Sequence, residues 1–245
     1  MKSVLTGVLA MLAAAGLHSD AHAAFAVTLS VAGFSSQTID DNGAGDTNPL
    51  LNFIGAQGTI DGYNYQLTAN TNPPNGGFGG QFVVQQNILV TANSTTFDPL
   101  VVVTSATGFN TNGPSPVTLQ VFNALAESNF DRGVATATTT VTPPGGAGGT
   151  TPVATVLGGT IPASSDTTSR VLVSSNPFSI SNRLTISGLT RLDSDPAGPQ
   201  FNGTLTSTAL QVQVVPAPAG IVLAFTAVPL FGLLRRRWGA VAEVA

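Results

Sequence analysis

Two stretches constrain the fold of this chain most: "TLTSTALQVQV" from Thr204 and "VATATTTV" from Val134 place small or apolar residues at every second position. A period of two puts successive side chains on opposite faces of a strand, one buried and one wet. Similar β-branched or alternating stretches start at Phe25, Tyr63, Gln81, Leu100, Val117, Arg170 and Phe178. Asn42-Gly43, Asp61-Gly62, Asn75-Gly76, Asn112-Gly113 and Asn202-Gly203 punctuate them, and such dipeptides favour the positive φ of tight turns.

"NALAESNF" from Asn123 is the one segment that suggests a helical turn. Without crossover helices a parallel sheet is ruled out, so the expectation is an all-β antiparallel sandwich, jelly-roll or immunoglobulin-like, over residues 24–214. The breaker run "TPPGGAGGTTP", Thr142 to Pro152, reads as a long loop across one sandwich. The segment beyond it, 153–215, has about 60 residues, a length that buries only ~60% of its surface when folded alone.

Composition narrows the chemistry. Only 8% of the residues are charged and there is no Cys, which excludes disulfides and thiolate zinc sites. Between Ala24 and Val215 the only basic residues are Arg132, Arg170, Arg183 and Arg191. No basic stripe can follow phosphates, so no nucleic acid partner is expected. His18 and His22 are the only histidines, and both lie in the N-terminal leader, residues 1–23. The remainder therefore lacks the groups for a Ser-His-Asp or Cys-His nucleophile, a Schiff base or a P-loop. A paired-carboxylate hydrolase would have to use Glu127, the only glutamate in that segment. The expectation is a non-enzymatic protein, with a carbohydrate-binding or carbohydrate-active module as the alternative.

One loop invites a metal. In "DDNGAGD", Asp40, Asn42 and Asp46 are oxygen ligands spaced along a glycine-rich turn, as a Ca²⁺ loop requires. Ala44 stands where a further oxygen would be expected and Leu51 where a terminal Glu would be, so an ordinary acidic turn competes with the calcium site. Tyr63 and Tyr65 are the only tyrosines available for a sugar platform, while the phenylalanines are expected in the core.

Both ends carry addresses. Lys2, an apolar run from Val4 to Leu17, and Ala21-His22-Ala23 form a secretory leader over residues 1–23, to be cut by signal peptidase after Ala23. At the other end, the 16 residues Ala219 to Leu234 are uncharged and mostly apolar, and Pro216 and Pro218 precede them. As a helix they would span about 24 Å of a ~30 Å hydrocarbon core, a short membrane segment that snorkelling arginines can complete. Arg235, Arg236 and Arg237 should stay cytoplasmic, followed by a tail over 239–245, while the leader sends the rest outward. Hydropathy does not separate a permanent anchor from a temporary one.

Val215, Pro216, Pro218 and Ala219, the short apolar segment and the arginine cluster together resemble the PEP-CTERM sorting domain, over residues 215–238. Ala217 occupies the position of that family's central glutamate, and "VPAPA" stands close to related V-P-L-P-A signals. The resemblance implies an exported bacterial protein, held briefly in the inner membrane and cleaved by an exosortase, a membrane-embedded cysteine transpeptidase. It also implies delivery to the cell surface or an extracellular matrix, with exopolysaccharide as a partner.

Overall fold

A computed structural model of the chain describes residues 24–72, 81–93, 98–111, 116–144, 148–159, 164–189 and 198–212. The leader with Ala21 and Ala23, the sorting motif and the expected membrane helix lie outside these residues, as do the expected turns at Asn75-Gly76 and Asn112-Gly113. Among the described residues no helix is long and apolar enough to cross a membrane.

Among the described residues thirteen strands follow one another: β1 (Phe25–Val31), β2 (Ser36–Asp40), β3 (Phe53–Ile60), β4 (Tyr63–Thr71), β5 (Gln81–Ala92), β6 (Leu100–Phe109) and β7 (Val117–Phe130). Then come β8 (Val134–Thr142), β9 (Gly149–Thr150), β10 (Ala154–Leu157), β11 (Ser165–Ser174), β12 (Phe178–Ser187) and β13 (Gln200–Gln211). They form two sheets, both antiparallel throughout. The first has the order β10-β8-β12-β6-β1-β2, with β9 also paired to β8, and the second β11-β7-β13-β5-β4-β3. From β5 onward the chain passes repeatedly between the sheets, so that β12 lies between β6 and β8 while β13 lies between β5 and β7.

The period-two pattern accounts for the packing. In β5, Phe82, Val84, Ile88 and Val90 face inward, with Gln81, Val83, Gln85 and Asn87 between them on the outer face. Phe82 stacks edge-on against Phe109 and Phe178, with ring centroids 5.5 and 5.0 Å away, at one end of the interior. At the other end Phe130 and Phe201 meet at 4.9 Å. In β3, Gly58 leaves room for the Tyr65 side chain of β4, whose hydroxyl would lie 3.0 Å from a Cβ there.

Between the aromatic clusters the core is polar. Thr104, Asn182 and Thr139 stand side by side on the inner face of the first sheet, and Asn123 and Ser207 on that of the second. All five are fully buried, as is Gln86. The Asn182 amide donates to the Val84 carbonyl in the opposite sheet at 2.9 Å, and its Oδ1 accepts from Thr139 Oγ1 and from Ser207 Oγ. Asn123 Nδ2 crosses the other way to the Ala137 carbonyl at 2.9 Å, and Thr104 Oγ1 donates to Gln86 Oε1. These bonds fix which residue of one sheet faces which residue of the other.

Several sequence expectations are corrected. "NALAESNF" is the second half of β7, because its alternate residues Asn123, Leu125 and Glu127 are buried between the sheets while Ala124 and Ala126 face outward. Tertiary burial overrides a local helical tendency here. Asn202-Gly203 is no turn but lies inside β13, opposite an irregularity where Ser128 is the extra residue of β7. Gly203 is required there because a Cβ would sit 2.4 Å from the Phe201 ring. By contrast, Asp61-Gly62 does turn the chain between β3 and β4, with φ of 40° and 85°. The breaker run returns along β8 as β9, and Thr139 and Thr151 clasp it through two bonds of 3.0 and 2.9 Å.

If the polar layer joins the sheets, Asn182→Ala should remove the bonds its amide makes to the Val84 carbonyl, Thr139 and Ser207 and lower stability by about 3 kcal/mol. Thr185→Ala, on the outer face of the same strand, should stay within ~0.5 kcal/mol. Urea unfolding of both variants measures the difference.

Candidate functional site

Asp46 and Glu127, which the sequence puts forward as a metal ligand and a catalyst, are used to hold the main chain. Asp46 accepts from Asn48 N at 2.8 Å and Gly55 N at 2.9 Å on one oxygen, and from Asn42 N at 2.9 Å on the other. Asp41 accepts from Asn52 N at 2.8 Å. The loop after β2 is thus an acidic turn clamped onto β3, with Asp46 directed at main-chain N–H groups and Asn42 at positive φ. Asp40 sits at the end of β2, where Gly43 N donates to its carbonyl. Among the described residues no group of three or more His, Cys, Asp or Glu side chains could hold a metal ion.

Glu127 is buried within β7 and accepts from Ser164 N at 2.7 Å and Ser164 Oγ at 3.2 Å. Asp61 anchors Ser35 N at 3.0 Å, Asp131 anchors Gln200 N at 2.6 Å and Asp166 anchors Thr155 N at 2.8 Å. Each closes a loop or strand end that would otherwise leave a donor unpaired. The tyrosines are no platform either. Both are buried, with Tyr63 donating to the Asp98 carbonyl at 2.7 Å and Tyr65 to Gln37 Oε1 at 3.0 Å.

What remains is the outer face of the second sheet, where, among the described residues, no outward strand residue is charged. Every charged residue of β3, β4, β5, β7, β11 and β13 points inward, and these are Glu127, Asp166 and Arg170. Strand register arranges the outward side chains in transverse rows. One row runs Thr167, Ala124, Thr206, Gln85, Asn70, Phe53 across six strands. The next is Ser165, Ala126, Thr204, Asn87, Thr68, Gly55, and beyond it stand Asn202, Leu89, Gln66 and Gln57. Neighbouring side chains in a row are about 4.8 Å apart and successive rows about 6.8 Å.

The rows are partly ordered from within. Thr204 Oγ1 donates to Asn87 Oδ1 at 2.6 Å, and Asn87 Nδ2 reaches Thr68 Oγ1 at 3.5 Å. Amides and hydroxyls can each donate and accept. Such a surface matches a ligand that is itself neutral and bears many hydroxyls, and it offers no cation to a phosphate or carboxylate. Phe53, exposed, and Phe122, half-buried, add apolar area at the rim and centre.

The outer face of the first sheet differs. It is rich in Ser and Thr, but Arg183 stands at its centre between Thr138 and Val103. Sequence reasoning missed the contrast because strand pairing, not sequence order, brings rows together. The signal was present in "QFVVQQNILVTA", whose odd-numbered residues are all uncharged.

No family model matches the chain, and no curated protein matches it. Among solved structures it is similar to the enzymatically active domain of bacteriophage CBA120 tailspike protein 4, at 10% identity and a TM-score of 0.34, covering 70% of this chain and 21% of that one. TmCBM61 in complex with β-1,4-galactotriose matches at 12% identity and a TM-score of 0.30, covering 60% of this chain and 88% of that one. An arabinose-bound MgGH51 α-L-arabinofuranosidase matches at 13% identity and 0.29, covering 70% and 25%.

Burial raises the Tyr63 hydroxyl above its ordinary value of 10.0, and the charge of Asp98 adds to the shift. Tyr65 is raised by burial too, with the Gln37 hydrogen bond opposing it. A folded-state value above the unfolded one stabilises the fold fully below about pH 10, and that contribution is lost as pH rises through the folded values. The urea midpoint should therefore fall in alkali, and Tyr63→Phe should flatten that fall while lowering the midpoint at pH 7.

Proposed function

We propose that this chain is an exported, non-catalytic protein of the cell surface or extracellular matrix that contacts neutral polysaccharide through the outer face of its second sheet. The observation that carries the reading is the absence of charge from the outward residues of six paired strands, in favour of Thr, Ser, Asn and Gln. A hydroxylated polymer can lie across several rows and exchange hydrogen bonds with water-like groups, while a charged polymer gains no counterion-release term. The alternation of β5 to β8 and of β11 to β13 between the sheets supports a jelly-roll wiring rather than an immunoglobulin-like one. Its outer faces are surfaces available for contact. The use of Asp46 by main-chain donors favours binding that does not need calcium.

The reading also takes the ends of the chain as addresses. Export by the leader and sorting by residues 215–238, with exosortase cleavage near Pro218, would deliver the sandwich to a polysaccharide-rich layer.

Affinity electrophoresis of the full chain in gels containing a neutral galactan or glucan should retard it, with little change between low and high salt. Thr206→Asp, which places a carboxylate at the centre of the face, should weaken retardation by about tenfold while circular dichroism is unchanged. Equal retardation of wild type and variant would rule out this face. Mass spectrometry of the protein from its native host tests the sorting: a C-terminus near Pro218 is expected, and an intact end at Ala245 would reject cleavage.

A further inference from the structure

The four sheet edges are not protected alike. On β3, Thr47 N and Thr47 Oγ1 donate to the Gly55 carbonyl at 2.7 and 2.9 Å, and Asp46 takes the Gly55 N–H. β2 is only five residues long. The β9 and β10 edge of the first sheet is sealed by side chains of β11: Asp166 accepts from Thr155 N, Thr168 Oγ1 donates to the Pro152 carbonyl and Arg170 Nη1 to the Thr150 carbonyl, at 2.8 to 2.9 Å. β11 itself is ten residues long, has no Pro or Lys, pairs with β7 without a register shift, and has exposed Val171 and Val173. Of the usual safeguards of an edge strand, Pro, Lys and a bulge are missing from it, and its two charged residues, Asp166 and Arg170, lie on its inner face.

Its free groups can be identified. Glu127 N donates to the Ser164 carbonyl, so the even-numbered residues of β11 exchange bonds with β7 and the odd-numbered ones point their N–H and C=O away from it. Among the described residues, nothing hydrogen-bonds the free edge at Ser165, Thr167, Ser169 or Val171.

We propose that β11 pairs antiparallel with β11 of a second copy of this chain, about a two-fold axis through Thr168. That axis sets Thr167 opposite Ser169 of the other copy and Ser165 opposite Val171, so the free groups of one edge meet those of the other. It also sets Asp166 opposite Arg170, twice, at non-hydrogen-bonded positions where side chains approach most closely. Asp166 uses Oδ2 for Thr155 and keeps Oδ1, and Arg170 uses only Nη1 for Thr150, so each retains capacity for the other. Charge complementarity selects this register, and the symmetry closes the assembly at two copies. The charge-free rows would then run unbroken over both copies. The pairing does not depend on what those rows bind.

Sedimentation of the full chain in mild detergent tests it. The wild type should sediment as a dimer that weakens with salt. Arg170→Asp and Asp166→Arg, each placing like charges opposite one another, should each weaken dimerisation by about tenfold or more, and the double exchange D166R/R170D should restore it. Because both side chains also hold the first sheet's edge, folding is checked by circular dichroism. Ser169→Pro, which removes a free-edge N–H but no side-chain contact, should give a folded monomer. A monomeric wild type, an undiminished dimer in Arg170→Asp, or a dimer that survives Ser169→Pro would overturn the proposal.

Discussion

The bonds of Asn182 across the sandwich are the constraint on which the rest of the structure depends. A core built only of Val, Leu and Phe would tolerate many offsets of one sheet over the other, because hydrophobic burial is non-directional. Asn182 reaches a main-chain carbonyl of β5 and hydroxyls of β8 and β13 at once, which fixes the sheets laterally and along the strands. Unlike apolar contacts, these bonds are directional and form only where donor and acceptor meet. Thr104 with Gln86 and Asn123 with Ala137 extend the same layer on either side.

Fixing the sheets has a consequence at the surface. With the interior register set, the outward residues of β13, β5 and β4 fall into rows whose composition is determined strand by strand. Among the described residues, Asp46, Asp61, Asp131, Asp166, Glu127 and Arg170 anchor loops and the edge of the first sheet, and none of them lies on the outer face of the second. Low charge in this protein is therefore spatially organised. The outward residues of its six-stranded face are uncharged, while Asp46, Asp61, Asp131, Asp166 and Glu127 accept from main-chain donors elsewhere.

Much of this was legible in the sequence. The period of two located β5 and β8 to the residue and most of β1, β4, β6, β12 and β13, because inner and outer faces alternate along them. β3 was missed because "FIGAQGTI" has two glycines and a covered outer face, and β10 because four residues are too few for a period to show. Asn123 misled because a buried amide in a strand has the same letters as a helix start. Its carbonyl partner lies in the opposite sheet, which no local pattern records. The acidic loop was recognised as a turn, yet its clamp on Gly55 depends on a strand that had not been seen. The uncharged face was written in the chain as scattered odd positions and became a site only through pairing.

The most direct measurement of the central claim is the amide NMR spectrum of the isotopically labelled full chain, with and without soluble neutral polysaccharide. Shifts should concentrate at Thr204, Thr206, Gln85, Asn87, Thr68 and Asn70, leaving the outer residues of β8 and β12 in place. Shifts confined to the first sheet around Arg183, or none at polymer concentrations that retard the protein in a gel, would contradict the account.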